Sequence, residues 1–398
     1  MNKIAFVSPW YDDHIPGGAE MELREVSRHL HAAGVPVEIL TTCVKEFGAD
    51  WSVDYYKPGE AVSEAGIPIR RFPVRKRDTA AFDAVNAKVM QHMAVSPEEE
   101  DVFLREMVNS PALIDYLRSH KDDYTAFVFI PYMFGTTYHG VQAVPEKAVL
   151  IPCFHDEGYA HFRRFKEVFP RAAGMIYNAR PEQVLAEELY GFSKSGTREI
   201  LMGIGMDTAI AGDAARFREK FGISAPFLLY AGRKDEGKNV HTLLRYFGEL
   251  HKRQQTDLRL VLIGGGSIAI PPEAAPYVDD LGFVDVQDKY DACAAAVLLC
   301  QPSKNESFSL VIMESWLCGR PVLVHAGCPV TRDFASSSNG GLYFSDYFEF
   351  EGTVRYLLDH PAIADQMGEN GRRYVREHFA WDVITQKYIT FFEEMERA

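Results

Sequence analysis

Residues 228–240, LLYAGRKDEGKNV, hold the pattern on which the fold turns. A run of successive apolar residues ends at Gly232, a charged loop with Arg233 and Lys238 follows, and a helix is expected to open near Asn239. Apolar residues on consecutive positions, not on every second one, mark a strand covered on both faces by helices. Two cations beside a helix N-terminus suit a diphosphate. The guanidinium offers a planar fork, the ammonium a point charge, and the helix end a further ~0.3 to 2 kcal/mol for an anion.

The same kind of run recurs along the chain. KIAFVSPW (3–10), PVEILTT (36–42), YTAFVFIPY (124–132), KAVLIPCF (147–154), GMIYNA (174–179) and REILMGI (198–204) precede it, and LRLVLIGGG (258–266), AAVLLCQP (295–302) and RPVLVHAG (320–327) follow. Helical patterns separate them, which signals βαβ units and parallel sheets. The expected class is α/β with two doubly wound parallel sheets, because 398 residues of 47% hydrophobic content exceed one ordinary core. A boundary falls after GIGMD (203–207), giving domains 1–207 and 208–375. From Met367 onward, aromatic and aliphatic residues at helical spacing predict two long terminal helices.

The formal charge of −14, 56 acids against 42 bases, argues against a basic nucleic-acid-gripping surface and for a small or neutral partner. Six cysteines without a CxxC spacing fit buried thiols in a reducing cytoplasm. MNKIAFVSPW reads as a first strand and not a signal peptide, and no apolar run approaches the ~18 residues of a membrane span. The stretch RRFPVRKRD gathers Arg70, Arg71, Arg75, Lys76 and Arg77, a patch for anionic lipid, a phosphorylated acceptor or plain solvent.

Three further stretches carry candidate chemistry. In PWYDDHIPGGAEMELREV a strand passes through Gly17 and Gly18 into a helix, so backbone amides can approach a phosphate. In QPSKNESFSLVIMESWLCGRP a helix is expected from about Phe308 to Leu317. Glu306 then precedes it and can accept from ligand hydroxyls beside the amides of Phe308 and Ser309. Glu314, inside an apolar run, is costly to bury alone and finds two donors in the vicinal hydroxyls of a ribose. A glycosidase acid and base is a poor fit, since a helical spacing of eight residues separates backbones by ~12 Å against about 5 to 9.5 Å for such carboxyls. His155, in VLIPCFHDEGY, ends a strand at the same expected crevice edge, where it can meet developing charge or a sugar hydroxyl. The triplet Gly264–Gly265–Gly266 lacks dinucleotide spacing and reads as a tight turn near a nucleotide. No metal is expected, as no second histidine stands at ligand spacing and no DxD pair occurs.

PGGAE, GRKDEGKN and above all ESFSLVIME resemble the retaining GT-B-fold glycosyltransferases of family four, with a glutamate, seven residues, then another glutamate. LGFV (281–284), GRPVLV (319–324) and MGENGRRYV with Trp381 extend the likeness over nearly the whole chain. The resemblance implies two Rossmann-like domains facing across a cleft, with helices from about 376 to 398 packing back on the first. It implies that Gly17, Gly18, Arg233 and Lys238 hold a donor diphosphate, that Glu306, Phe308 and Ser309 bind the donor sugar, and that Glu314 holds the ribose. Phe283 and Val284 are similar to the segment meeting the base, and His155 to the active-site histidine. The implied reaction is hexosyl transfer from a nucleotide diphosphate sugar to a saccharide or glycolipid hydroxyl, with retention and no cofactor. A phosphorylase, an epimerase and a non-catalytic sugar-nucleotide-binding subunit are the alternatives. ESFSL departs from the common EGFGL, and Thr331 stands near the usual place of a glutamate, so donor identity stays open.

Overall fold

The structure is a computed structural model that describes residues 2–397. The chain divides into two compact units, Met1–Gly205 with Asp382–Ala398, and Met206–Trp381. All ten apolar runs are strands. In the first unit they are β1 (Lys3–Trp10), β2 (Val37–Val44), β5 (Tyr124–Phe129), β6 (Ala148–Leu150), β7 (Gly174–Tyr177) and β8 (Arg198–Leu201). Two more that the sequence did not announce are β3 (Gly59–Val62) and β4 (Pro68–Phe72). The sheet order is β3-β4-β2-β1-β5-β6-β7-β8, parallel except for the antiparallel β3–β4 pair.

The second unit carries β9 (Phe227–Ala231), β10 (Arg259–Ile263), β12 (Leu298–Gln301) and β13 (Val322–His325), joined by the unexpected β11 (Val278–Gly282) and β14 (Gly341–Phe344). Its order is β11-β10-β9-β12-β13-β14, with every pairing parallel. Central strands such as β9 and β12 are buried at every position, whereas edge strands β3 and β11 are not. A strand exposed at one edge need not be continuously apolar, which is why β3, β11 and β14 escaped a reading based on apolar runs.

Helices close both faces. The helix Val240–Arg253 buries Val240, Leu243, Leu244, Phe247 and Leu250 in one stripe and ends on His251, Lys252 and Arg253, cations suited to the negative end of its dipole. The terminal pair spans Pro361–His378 and Trp381–Arg397, so the first begins six residues before the expected Met367, with proline in its first turn. Trp381–Arg397 buries Ile384, Tyr388, Phe391 and Phe392.

The basic stretch is not the cluster of solvated cations that its sequence suggests. Arg71 is buried, donates to the Tyr11 carbonyl at 2.9 Å and lies over the Tyr56 ring. Arg70 pairs with Glu60 and Glu38, and Arg75 with Glu106. Among the described residues Arg71, Lys76 and Arg77 form no ion pair, and of these three Arg77 also makes no hydrogen bond although it is partly buried. Cys43, Cys293, Cys300 and Cys328 are buried free thiols. Among the described residues no helix is long and apolar enough to cross a membrane.

Candidate functional site

The winding of the second sheet reverses between β9 and β12, its two central strands. Open α/β sheets bind ligands outside the carboxyl ends of their strands at such a reversal. The loops leaving those strands are 232–239 and 302–309, which contain Arg233, Lys238 and Glu306. Lys238 Nζ lies 2.7 Å from Glu306 Oε1, with the two side chains 25% and 10% exposed. Asp235 caps the turn by accepting from the Lys238 amide at 2.9 Å. Asn239, in the left-handed region at φ 57, donates from Nδ2 to the Pro302 carbonyl at 2.9 Å and so ties one loop to the other. The helix N-terminus, the ammonium and the carboxylate are thereby fixed together.

Arg233 behaves differently. Its side chain is 76% exposed and only 3.5 Å from Asp235 at Nε, so it is free to turn toward a ligand. The buried cation of this loop is its neighbour Lys234, unmarked by the sequence reading, which pairs with Asp280 of β11 at 2.5 Å. The glycine triplet supports this loop from behind. A side chain at Gly264 would meet the Gly232 carbonyl oxygen at 2.1 Å, and one at Gly265 would strike the Phe283 ring at 2.5 Å. The tight turn therefore exists for close packing, with the 87% exposed Phe283 lying over it and Val284 half-buried beside it.

The second helix begins later than expected, at Leu310 and not Phe308, because Ser309 takes a left-handed φ of 75 as its N-cap. Phe308 is buried against Phe334 and Phe379, and among the described residues the amides of Phe308 and Ser309 donate to no protein acceptor. Both remain available to a ligand oxygen. Glu314 follows within the helix and is held by Lys289 at 2.6 Å, their side chains 12% and 25% exposed. Burial raises the Glu314 pKa, and Lys289 opposes the rise. Lys289, 25 residues earlier on Val286–Ala295, has no sequence signal linking it to Glu314.

Gly17, Gly18 and His155 lie in the first unit. Gly17 precedes the helix Gly18–Ala32, and the Glu20 carboxylate folds back over it: a Cβ at Gly17 would sit 2.0 Å from Glu20 Oε2. An anion approaching this helix end meets Glu20 first, so the expected role of Gly17 and Gly18 requires that carboxylate to swing away. His155 follows β6, 30% exposed, with Nδ1 4.0 Å from Glu157 Oε1. Glu157 also accepts from the Tyr132 hydroxyl at 2.8 Å.

Residues 213–374 match the family model of glycosyl transferases, group 1. The match lies within the second unit. It is similar to the D-inositol 3-phosphate glycosyltransferase of Kineococcus radiotolerans, with 30% identity over 254 residues, 57% of this chain and 58% of that one. The match thus spans little more than half of the relative's length. Among solved structures, sucrose-phosphate synthase from Thermosynechococcus elongatus superposes with a TM-score of 0.70 at 18% identity over 99% of both chains. HepE of Anabaena, in complex with UDP, gives 0.69 at 15% identity over 98% of this chain and 100% of that one. The fold is GT-B.

Proposed function

We propose that this chain transfers a hexosyl group from a nucleotide diphosphate sugar to a hydroxyl of a saccharide or glycolipid acceptor, retaining the anomeric configuration. The observation that carries the reading is the Lys238–Glu306 pair at 2.7 Å, set at the sheet reversal beside two unused amides. A diphosphate placed there gains the Lys238 ammonium and the exposed Arg233 fork, which serve the charge that grows as the sugar leaves. Glu306 then accepts from sugar hydroxyls and Glu314 from the ribose. The relatives' names favour glycosyl transfer, and the HepE complex with UDP supports a UDP-sugar as first candidate donor.

A thermal-shift panel of UDP, GDP, ADP and dTDP sugars tests the donor side, because a ligand at 100 times its Kd adds about 2.7 kcal/mol of stability. One nucleotide should raise the melting temperature well above the others, and no shift with any of them overturns the reading.

Lys289 offers a second check. Its ammonium opposes the burial that raises the Glu314 pKa. Lys289→Met should weaken nucleotide binding about tenfold, ~1.4 kcal/mol, for the loss of an ionised acceptor facing two hydroxyls. The deficit should widen as pH falls, because Glu314 without Lys289 takes up its proton at a higher pH than in the unaltered chain. Calorimetric titration at several pH values reads this, and parallel curves for the two proteins would detach Glu314 from the ribose.

A further inference from the structure

Arg77 stands out in the first unit. Its guanidinium lies beside two rings, 4.7 Å from the centroid of Trp51 and 4.4 Å from that of Phe82. No hydrogen bond or ion pair joins it to any described residue, and its Nε is sealed from solvent without an acceptor. Asp83, Asp50 and Glu106 act on it electrostatically, yet none is within ion-pair reach, and Glu106 is already held by Arg75 and Arg105. Burial lowers the Arg77 pKa, with Asp83 and Asp50 opposing. The other arginines without such a bond, Arg171, Arg245, Arg332 and Arg376, are exposed and served by water. A partly buried guanidinium with unused donors costs free energy unless something completes it.

Its location says what that is. Trp51 packs against Trp10, the last residue of β1, and against Phe134 in the loop after β5. β1 and β5 are the strands between which the first sheet reverses its winding, so Arg77 stands at that sheet's ligand-binding edge. The following helix, Thr79–Met90, does not compete for an anion, because the Asp78 carboxylate already caps it by accepting from Ala81. The two rings adjoin each other on one side of the guanidinium, their centroids 5.9 Å apart, and its unpaired N–H donors offer the planar fork that a two-oxygen anion requires.

We propose that Arg77 is an oxyanion-binding residue of the first unit, and that the acceptor carries a phosphate or carboxylate group which this guanidinium grips beside Trp51 and Phe82. The word acceptor rests on the transfer reading above; the anion site itself does not. Charge-assisted hydrogen bonds of this kind are worth roughly 1.5 to 3 kcal/mol, about 10- to 100-fold in affinity.

The test uses the full chain and its variants Arg77→Met and Arg77→Lys at constant ionic strength. Calorimetric titrations with glucose 6-phosphate, glucuronate and neutral glucose cover soluble sources, and flotation with vesicles containing phosphatidylinositol covers a lipid headgroup. The unaltered chain should bind at least one anionic probe and prefer it to glucose. Arg77→Met should lose that binding by tenfold or more, and Arg77→Lys, a point charge without the fork, should fall between. Loss confined to the vesicles assigns the anion to a lipid-linked acceptor, and loss confined to the soluble probes assigns it to a free one. Binding of every probe that is equal in Arg77→Met, or no preference for anionic probes in the unaltered chain, overturns the proposal. UDP titrated in parallel reports on folding of the variants. Failure of the whole UDP, GDP, ADP and dTDP panel to bind the unaltered chain would sink the transfer reading while leaving the oxyanion result standing.

Discussion

Lys238→Ala should lower turnover 100- to 1,000-fold, the equivalent of about 2.7 to 4 kcal/mol for one lost donor facing charge that develops in the transition state. In the ground state the ammonium is committed to Glu306 at 2.7 Å. In the proposed reaction the departing diphosphate gains negative charge, so the attraction to Lys238 is stronger in the transition state than in the bound substrate. That difference, not binding itself, is what accelerates chemistry. The loss should therefore fall on kcat more than on KM. Removing the cation also leaves the Glu306 carboxylate, 10% exposed, without its partner, and some stability goes with it. Lys238→Ala combined with Glu306→Gln separates the two effects, since the pair of changes removes the orphan charge without restoring the donor. A melting temperature that recovers while kcat stays low places Lys238 in the chemistry. Recovery of both would make the pair a structural tie.

How much of this was open to sequence reading depends on whether a residue's partner is near it along the chain. β9 and its loop were legible because apolar run, glycine, cations and helix start follow one another within 228–240. β11 was not, because VDDLG lies at a sheet edge and its acids serve distant cations, Asp280 holding Lys234 and Asp279 holding Arg259. The seven residues between Glu306 and Glu314 could be counted, but the Lys289 that neutralises Glu314 comes from another helix. The five cations of 70–77 look alike in sequence. Glu106 reaches Arg75 and no carboxylate reaches Arg77, a distinction made only by folding. The Ser309 turn was missed for a local reason: a non-glycine residue at φ 75 is uncommon, so a helix start at Phe308 was the simpler expectation.

Glu22→Gln should stabilise the protein at pH 8 and leave it nearly unchanged at pH 5. Glu22 lies on the helix Gly18–Ala32 with 1% exposure, and Glu182, equally buried, faces it from Arg180–Tyr190. Asn178 Nδ2 donates to Glu22 Oε2 at 2.9 Å, and Cys153, in the loop after β6, approaches the same oxygen at 3.8 Å. Tyr388 completes the surroundings from Trp381–Arg397, while Glu22 Oε1 and Asn178 Oδ1 have no partner. Burial first, then the Glu182 charge, pushes the Glu22 pKa up to about 8, and burial takes Glu182 to about 7. Both lie above the ordinary 4.5, so the folded chain binds more protons than the unfolded one. Their contribution is complete below pH 4.5 and is lost as pH rises through 7 and 8. At about 1.4 kcal/mol for each pH unit in that window, Glu22 alone withholds several kcal/mol at pH 8. Glutamine keeps the acceptor for Asn178 Nδ2 and carries no charge for burial to penalise. Melting temperatures from pH 5 to 8.5 should therefore diverge, with the variant above the unaltered chain at the alkaline end. Some slope should persist in the variant, because Glu182 still titrates. Curves that run parallel would mean that Glu22 is ionised when folded, and a cation or water chain reaching Oε1 would then have to supply what burial removes.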